Sequence, residues 1–204
     1  MGSLRVDDLG TQAQRDRRRR MLDAAVSLAS GGGFDAVQMR AVAEQADVAL
    51  GTLYRYFPSK IHLLVSALGA QLEQARDSFD RHPVPGPTAP DRVMYVLERT
   101  TRTLQRDPHL TEALTRAFMF ADATVAAEIS EVGRHVTWML MAAMRGPATP
   151  PPGGRDAEPT DEEVAVTKVI GDVWLVSLVQ WVTGRASTDD VARSLDVAVR
   201  LLLR

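Results

Sequence analysis

Nine of the eleven prolines in this 204-residue chain fall in two short stretches, "HPVPGPTAP" at 82–90 and "RGPATPPPGGRDAEPT" at 145–160. Proline has no backbone donor for a helix interior or a central strand, so these stretches are loops, and the second is expected to be mobile. Outside them apolar residues recur at helical spacing, and no segment sustains the period-2 alternation of a half-buried strand. The fold class read from this is all-α, with about nine helices, short ones first and longer ones after.

The first helix is expected to start near Thr11 to Ala13, to turn Met21, Leu22, Ala25, Leu28 and Ala29 inward, and to stop at Gly31-Gly32-Gly33. A short second helix fits Met39 to Ala46 and a short third Leu50 to Tyr56, which Pro58 cuts off. Ser59 is a good N-cap for a longer helix over 60–80. Further helices are expected at about 91–106, 108–120, 123–144, 160–185 and 187–203.

The net charge of −2 argues against a protein that coats nucleic acid indiscriminately. It hides an asymmetry: residues 1–66 hold nine Arg/Lys against seven Asp/Glu, whereas 67–204 hold fifteen against nineteen. A polyanion partner at one end only fits that balance. No cysteine is present, which rules out disulfides, thiolate metal sites and a cysteine nucleophile. "MGSLRVDDLG" lacks the apolar core of a signal peptide and the longest unbroken apolar runs are short, so a cytoplasmic location without membrane contact is expected.

Two short helices joined through Asp47-Val48-Ala49 make a helix-turn-helix pattern in which Val42, Ala43 and Leu53 do the packing. The second of the pair then presents Thr52, Arg55 and Tyr56 outward. Gly51 lets a backbone approach a wall of phosphates, and Thr52 and the tyrosine hydroxyls can donate to phosphate oxygens. Arg55 can pair with phosphate or reach guanine O6 and N7. Lys60 adds charge at a helix start, where free N–H groups already favour an anion. "RDRRRR", Arg15 to Arg20, brings more positive charge close in sequence. Leu53 and Phe57, four apart, read as core, and Tyr54 as either a contact or a half-buried packing ring.

From Arg20 to Leu64, with "GTLYRYFPSK" followed by two leucines, the chain resembles the TetR family of bacterial transcriptional repressors. The resemblance implies an N-terminal helix-turn-helix DNA-binding domain at 1–62 and a ligand-binding and dimerisation domain at 63–204. It implies a homodimer on a palindromic operator in double-stranded DNA, a small-molecule effector, no cofactor, no metal and no catalysis. On it Thr52, Tyr54, Tyr56 and Lys60 align with operator contacts, Gln38 and Arg40 lie where the second helix meets the backbone or groove edge, and Ala49, Gly51 and Arg55 complete the expected DNA-binding residues. Within the family, "VQMRAVAEQADVALGTLYRYFPSKIHLLVSALG" and "IGDVWLVSLVQWVTGRAS" resemble the repressors of sterol catabolism, which implies a sterol-derived coenzyme A thioester as effector. The longer 145–160 loop departs from that pattern and leaves ligand entry open.

From Val164 to Val182 thirteen of nineteen residues are apolar, spread around the helix. One side can cover the domain's own core, and the other then calls for a partner, with a second copy using the last two helices as the economical choice. Phe118, Met119, Phe120, Trp138, Met141, Met144, Trp174 and Trp181 are candidates to line an effector cavity, since thioethers adapt and indoles offer flat area. Arg102, Arg106 and Arg116 are candidates to meet ligand phosphates. Two other functions stay open on residues alone: a TetR-like repressor of a multidrug efflux system responding to lipophilic drugs, and a helical acyl-CoA enzyme. His62, His82, His109 and His135 show no metal-ligand spacing, and neither G-x-S-x-G nor a phosphate loop occurs.

Overall fold

The computed structural model describes residues 11–82, 84–146 and 158–203. Among them are nine α-helices, one 3-10 turn and no strand. Most of the second proline-rich loop, residues 147–157, lies outside the described residues, and so does the expectation of its mobility. The helices group into two compact units. One holds the chain up to Ala70 together with Asp107–Val132, and the other holds Gln71–Arg106 with the chain from Gly133 onward.

In the first unit, α1 (Gln12–Ala36) opens on a reciprocal box between Thr11 and Gln14, each side chain accepting from the other's backbone N–H. It packs along α6 (Pro108–Met119) and against α2 (Met39–Gln45), which in turn meets α3 (Leu50–Tyr56). The expected stop at the glycines is a break rather than an end. Gly32 and Gly33 leave helical geometry, with Gly33 at φ 69°, and a last turn carries the chain to Ala36. Asp107 caps α6 by accepting the Leu110 N–H at 2.9 Å, with Pro108 in the first turn, where no donor is needed. Met21, Ala25, Val37, Val42, Leu53, Phe57, Leu63, Leu64 and Leu114 fill this unit's core. Two helices, α4 (Lys60–Asp80) and α7 (Ala126–Arg145, preceded by the 3-10 turn Ala123–Val125), contribute residues to both units.

The second unit adds α5 (Ala89–Gln105), α8 (Asp161–Val182) and α9 (Thr188–Leu202), with α9 packed on both α8 and α5. Capping boxes open all three helices, through Thr88–Asp91, Thr160–Glu163 and Ser187–Asp190. The end of α8 falls at Val182, short of the expected 185. Gly184, at φ 70°, lets the N–H groups of Gly184 and Arg185 turn back onto Trp181 and Gln180. The last carbonyls of α7 are met by Arg92, whose Nε donates to Ala143 at 2.7 Å and Nη2 to Met144 at 2.8 Å.

On α8, Thr167, Ile170, Trp174, Ser177 and Leu178 form one buried stripe, while Val164, Val169 and Val176 stay exposed. On α9, Val191, Leu195 and Val199 are buried, and Val197, Leu201 and Leu202 are exposed. By length and composition alone α8 could cross a bilayer. It nevertheless carries an exposed Lys168–Asp172 ion pair mid-helix, and both charges are costly in hydrocarbon.

The described segments flanking the second loop are clasped by Arg145. Its guanidinium donates through Nε and Nη2 to the two oxygens of Glu163, each at 2.7 Å. Those hydrogen bonds, with help from Thr160, hold the Glu163 carboxyl at about 2, well below its ordinary 4.5. A depressed carboxyl contributes its full stabilisation above the unfolded value and loses it as pH falls toward the folded one. We therefore expect the melting temperature to drop between pH 4.5 and 2. Glu163→Gln should be less stable by about 1–2 kcal/mol at pH 7 and show a shallower acid limb, read by circular dichroism melts.

Candidate nucleic-acid interface

The turn between α2 and α3 is set by the backbone. The N–H of Asp47 donates to Glu44 and that of Val48 to Ala43, at 3.2 and 3.0 Å, a doubled closure that needs a left-handed residue between them. Asp47 fills that place at φ 52° and is the one non-glycine residue with positive φ among those described. Aspartate tolerates the conformation better than bulkier residues do. The chain then enters α3 through Ala49, whose carbonyl accepts from Thr52 and Leu53.

Helix α3 divides cleanly. Leu53 and Phe57 are buried, as their spacing implied, and so are Val42 and Ala43 across the turn. On the other side Gly51, Tyr54 and Arg55 are exposed, with Tyr54 at 45%, and Thr52 is partly so. A Cβ at Gly51 would meet nothing within 4 Å, so this chain's own packing does not require glycine there. Ala49, Gln38 and Arg40 are exposed as well, although the Gln38 amide already donates to the Asp35 carbonyl at 2.8 Å.

Two expected contacts are turned elsewhere. Tyr56 does not face outward: it is 1% exposed, and its ring lies tilted against that of Phe57, centroids 6.3 Å apart. The seventh residue of a helix that ends one step later falls on the same side as Leu53, three back, and is drawn into the core. Lys60 is half-buried, and its ammonium points back into its own unit. Nζ donates to the Phe34 carbonyl at 3.0 Å and lies 4.0 Å from the centre of the Phe34 ring. Desolvation lowers its pKa, Arg116 pushes the same way, and Asp35 and Glu112 oppose the change.

Nothing in the local pattern around Lys60 announces its partners, which come from 26 and more positions away. Glu112 accepts the Phe34 N–H at 2.8 Å, and the Arg116 guanidinium lies 4.5 Å from the other cation's ring. Arg116, taken as a candidate for ligand phosphate, is thus engaged with Phe34 and with Asp35 and Glu112. His62 is buried and tied at both ring nitrogens. Nε2–H donates to the Thr124 carbonyl at 3.1 Å, and Nδ1 meets the Ser59 hydroxyl at 2.9 Å. Ser59 caps α4 as expected, taking the His62 N–H at 3.4 Å. Of the "RDRRRR" run, Arg20 donates to the Ala46 carbonyl at 3.3 Å and Arg18 lies 5.5 Å from the centre of the Phe57 ring, so both take part in packing.

The candidate effector-lining residues are divided between the two units. Phe118, Met119 and Phe120 belong to the first unit, and Trp138, Met141, Met144, Trp174 and Trp181 to the second. Met119 and Phe120 are 54% and 74% exposed, where α6 ends and Phe120 is its C-cap. Met141 is buried. So is Trp174, whose indole N–H donates to the Thr101 hydroxyl at 2.9 Å, a satisfied core ring. Phe118, Trp138, Met144 and Trp181 are partly exposed.

Comparison with known proteins places this geometry. Residues 21–67 match the description "Bacterial regulatory proteins, tetR family", and residues 86–202 match "Tetracyclin repressor-like, C-terminal domain". The chain is 53% identical over 201 residues to the HTH-type transcriptional repressor KstR of Rhodococcus jostii (strain RHA1), covering 98% of this chain and 89% of that one. A crystal structure of a TetR transcriptional regulator from Rhodococcus sp. RHA1 superposes with a TM-score of 0.83 at 32% identity, covering 94% of this chain and 98% of that one. Thermus thermophilus FadR, crystallised with lauroyl-CoA, shares the fold at a TM-score of 0.64 and 20% identity, over 91% of this chain and 93% of that one.

The division of α3 separates two tyrosines two residues apart. Tyr56→Ala should cost about 3 kcal/mol of stability, since a buried ring leaves a cavity. Tyr54→Ala should change stability by less than about 0.5 kcal/mol, as exposed substitutions do. Urea unfolding of the two variants side by side checks this.

Proposed function

The chain belongs to the TetR family of bacterial regulatory proteins and is a transcriptional repressor rather than an enzyme, and from that premise we propose how it reads DNA and what releases it. Residues 1–62 act as the DNA-binding domain and 63–204 as the effector and dimerisation domain, in the cytoplasm. The operator is a palindrome read by two copies whose recognition helices lie roughly 34–36 Å apart. The reading surface is Gly51, Thr52, Tyr54 and Arg55 of α3, with Ala49, Gln38 and Arg40 at its edge. The observation that carries this is the bare face of α3. Its apolar side is fully spent on the core, while glycine, tyrosine and arginine stand in solvent with no partner in the chain's own packing to explain them.

A second copy covers α8 and α9. Val164, Val169 and Val176 on one helix and Val197, Leu201 and Leu202 on the other stand exposed beside well-packed stripes. Joined across a two-fold axis they make a four-helix contact. The effector is a sterol-derived coenzyme A thioester that favours the conformation with the two readers at the wrong separation. Three things support it: similarity to KstR over nearly the whole chain, the "IGDVWLVSLVQWVTGRAS" stretch at 170–187, and the same fold in a regulator crystallised with lauroyl-CoA.

Native mass spectrometry of the chain incubated with sterol-CoA thioesters, lauroyl-CoA and lipophilic drugs tests the effector. A sterol-CoA adduct that also lowers operator affinity is the expected result, and retention of drugs alone contradicts it. Val176→Asp with Leu201→Asp should yield a folded monomer by sedimentation and reduce palindrome affinity at least 100-fold, because each half-site alone binds weakly. Arg55→Gln should weaken operator binding by about 1–3 kcal/mol while leaving stability unchanged.

A further inference from the structure

Beyond its acidic first turn α8 carries only two charged residues, Lys168 and Asp172. They stand in the middle of its exposed side. A row at four-residue spacing runs along that side through Val164, Lys168, Asp172 and Val176, while the stripe of Thr167, Ile170, Trp174 and Leu178 is buried. Lys168 donates to Asp172 at 2.6 Å, yet the two side chains are 71% and 63% exposed. In that setting an ion pair adds little to a chain's own stability. The cation also lies toward the N-terminal end, the weaker order for a pair within a helix. The pair therefore does little for α8 itself.

The row is complementary to itself. Turned end for end about the level of Ile170, it sets each lysine against an aspartate and each outer valine against an outer valine. We propose that α8 meets α8 of a second copy antiparallel at this level, Lys168 facing Asp172 of the second copy and Val164 facing its Val176, and that this cluster of charges sets the register of the dimer and selects the same chain as partner. This rests on the two-copy reading above and deepens it. A parallel crossing would set lysine on lysine and aspartate on aspartate. A slip of one helical turn would set one charge on its own copy and strand the other against a valine. Each alternative leaves charge repelled, or covered without a partner. A chain of the same fold whose α8 lacks the row is rejected for the same reason.

The experiment uses the full chain and a charge-swapped one, Lys168→Asp with Asp172→Lys, produced together with a mass tag on one of them and sorted by native mass spectrometry. In the antiparallel register the swapped chain matches itself, so it should dimerise within about threefold of the wild type. Against the wild type it sets like charge on like charge, so mixed dimers should fall at least about tenfold below their statistical share. The single variants Lys168→Asp and Asp172→Lys should each lose dimer affinity about tenfold and should pair with one another in preference to themselves. Circular dichroism melts check that every chain is folded.

Should the swapped chain not fold, cysteines report the register independently, since the chain has none of its own. Chains carrying Val164→Cys and Val176→Cys, mixed and oxidised with copper phenanthroline, should cross-link to one another and neither to itself. A statistical mixture of wild-type and swapped chains, an excess of mixed dimers, which marks the parallel crossing, or cysteines that link like to like each overturn the register. A wild-type chain that stays single at the concentrations where it binds DNA overturns instead the two-copy reading beneath it.

Discussion

One peptide holds the first unit's geometry. Phe34 gives its N–H to Glu112 of α6 and its carbonyl accepts from Lys60 of α4, and the Lys60 and Arg116 cations lie 4.0 and 4.5 Å from its ring centre. The chain reaches it through Gly33, at φ 69°, a conformation that a side chain would strain and a place that Glu112 leaves no room to fill. Three helices distant in sequence meet there. Because each interaction partly satisfies a group that would otherwise be buried or unpaired, none can be lost without leaving another exposed to the same cost.

The reading helix depends on that frame. A seven-residue helix is far too short to be stable by itself, so α3 persists because Leu53, Tyr56 and Phe57 are buried beneath it. The Asp47 turn sets its angle to α2 by giving the Asp47 and Val48 N–H groups to the free carbonyls of Glu44 and Ala43 at the end of α2. With three residues committed inward, the remaining face is free of structural duty. That is the sense in which Thr52, Tyr54 and Arg55 are available for recognition.

The second unit obeys a different economy. Helices α8 and α9 each bury one stripe and leave valines and leucines uncovered on another. Several of its polar groups are matched within the chain: Trp174 to Thr101, Thr167 to the Glu163 carbonyl, Arg145 to Glu163. Of the aromatics and methionines named from the sequence, this unit buries Trp174 and Met141 and leaves Trp138, Met144 and Trp181 partly exposed.

What the amino-acid order determined is local. Helical spacing, proline and glycine punctuation and the Ser59 cap placed every helix to within a few residues, and the capping pairs Thr11–Gln14, Thr160–Glu163 and Ser187–Asp190 act over the same three or four positions. The same range sufficed for Leu53 and Phe57 as core and for Arg55 facing outward, while it left Tyr54 open between a contact and a packing ring. Only the tertiary structure decided that Tyr56 turns inward, that Lys60 faces Phe34, and that Glu112, Arg116 and His62 belong to the reader's frame. Those outcomes rest on partners 26 to 82 positions apart in the chain, and a side chain with a long flexible stem takes whichever of its possible partners the folded chain brings within reach.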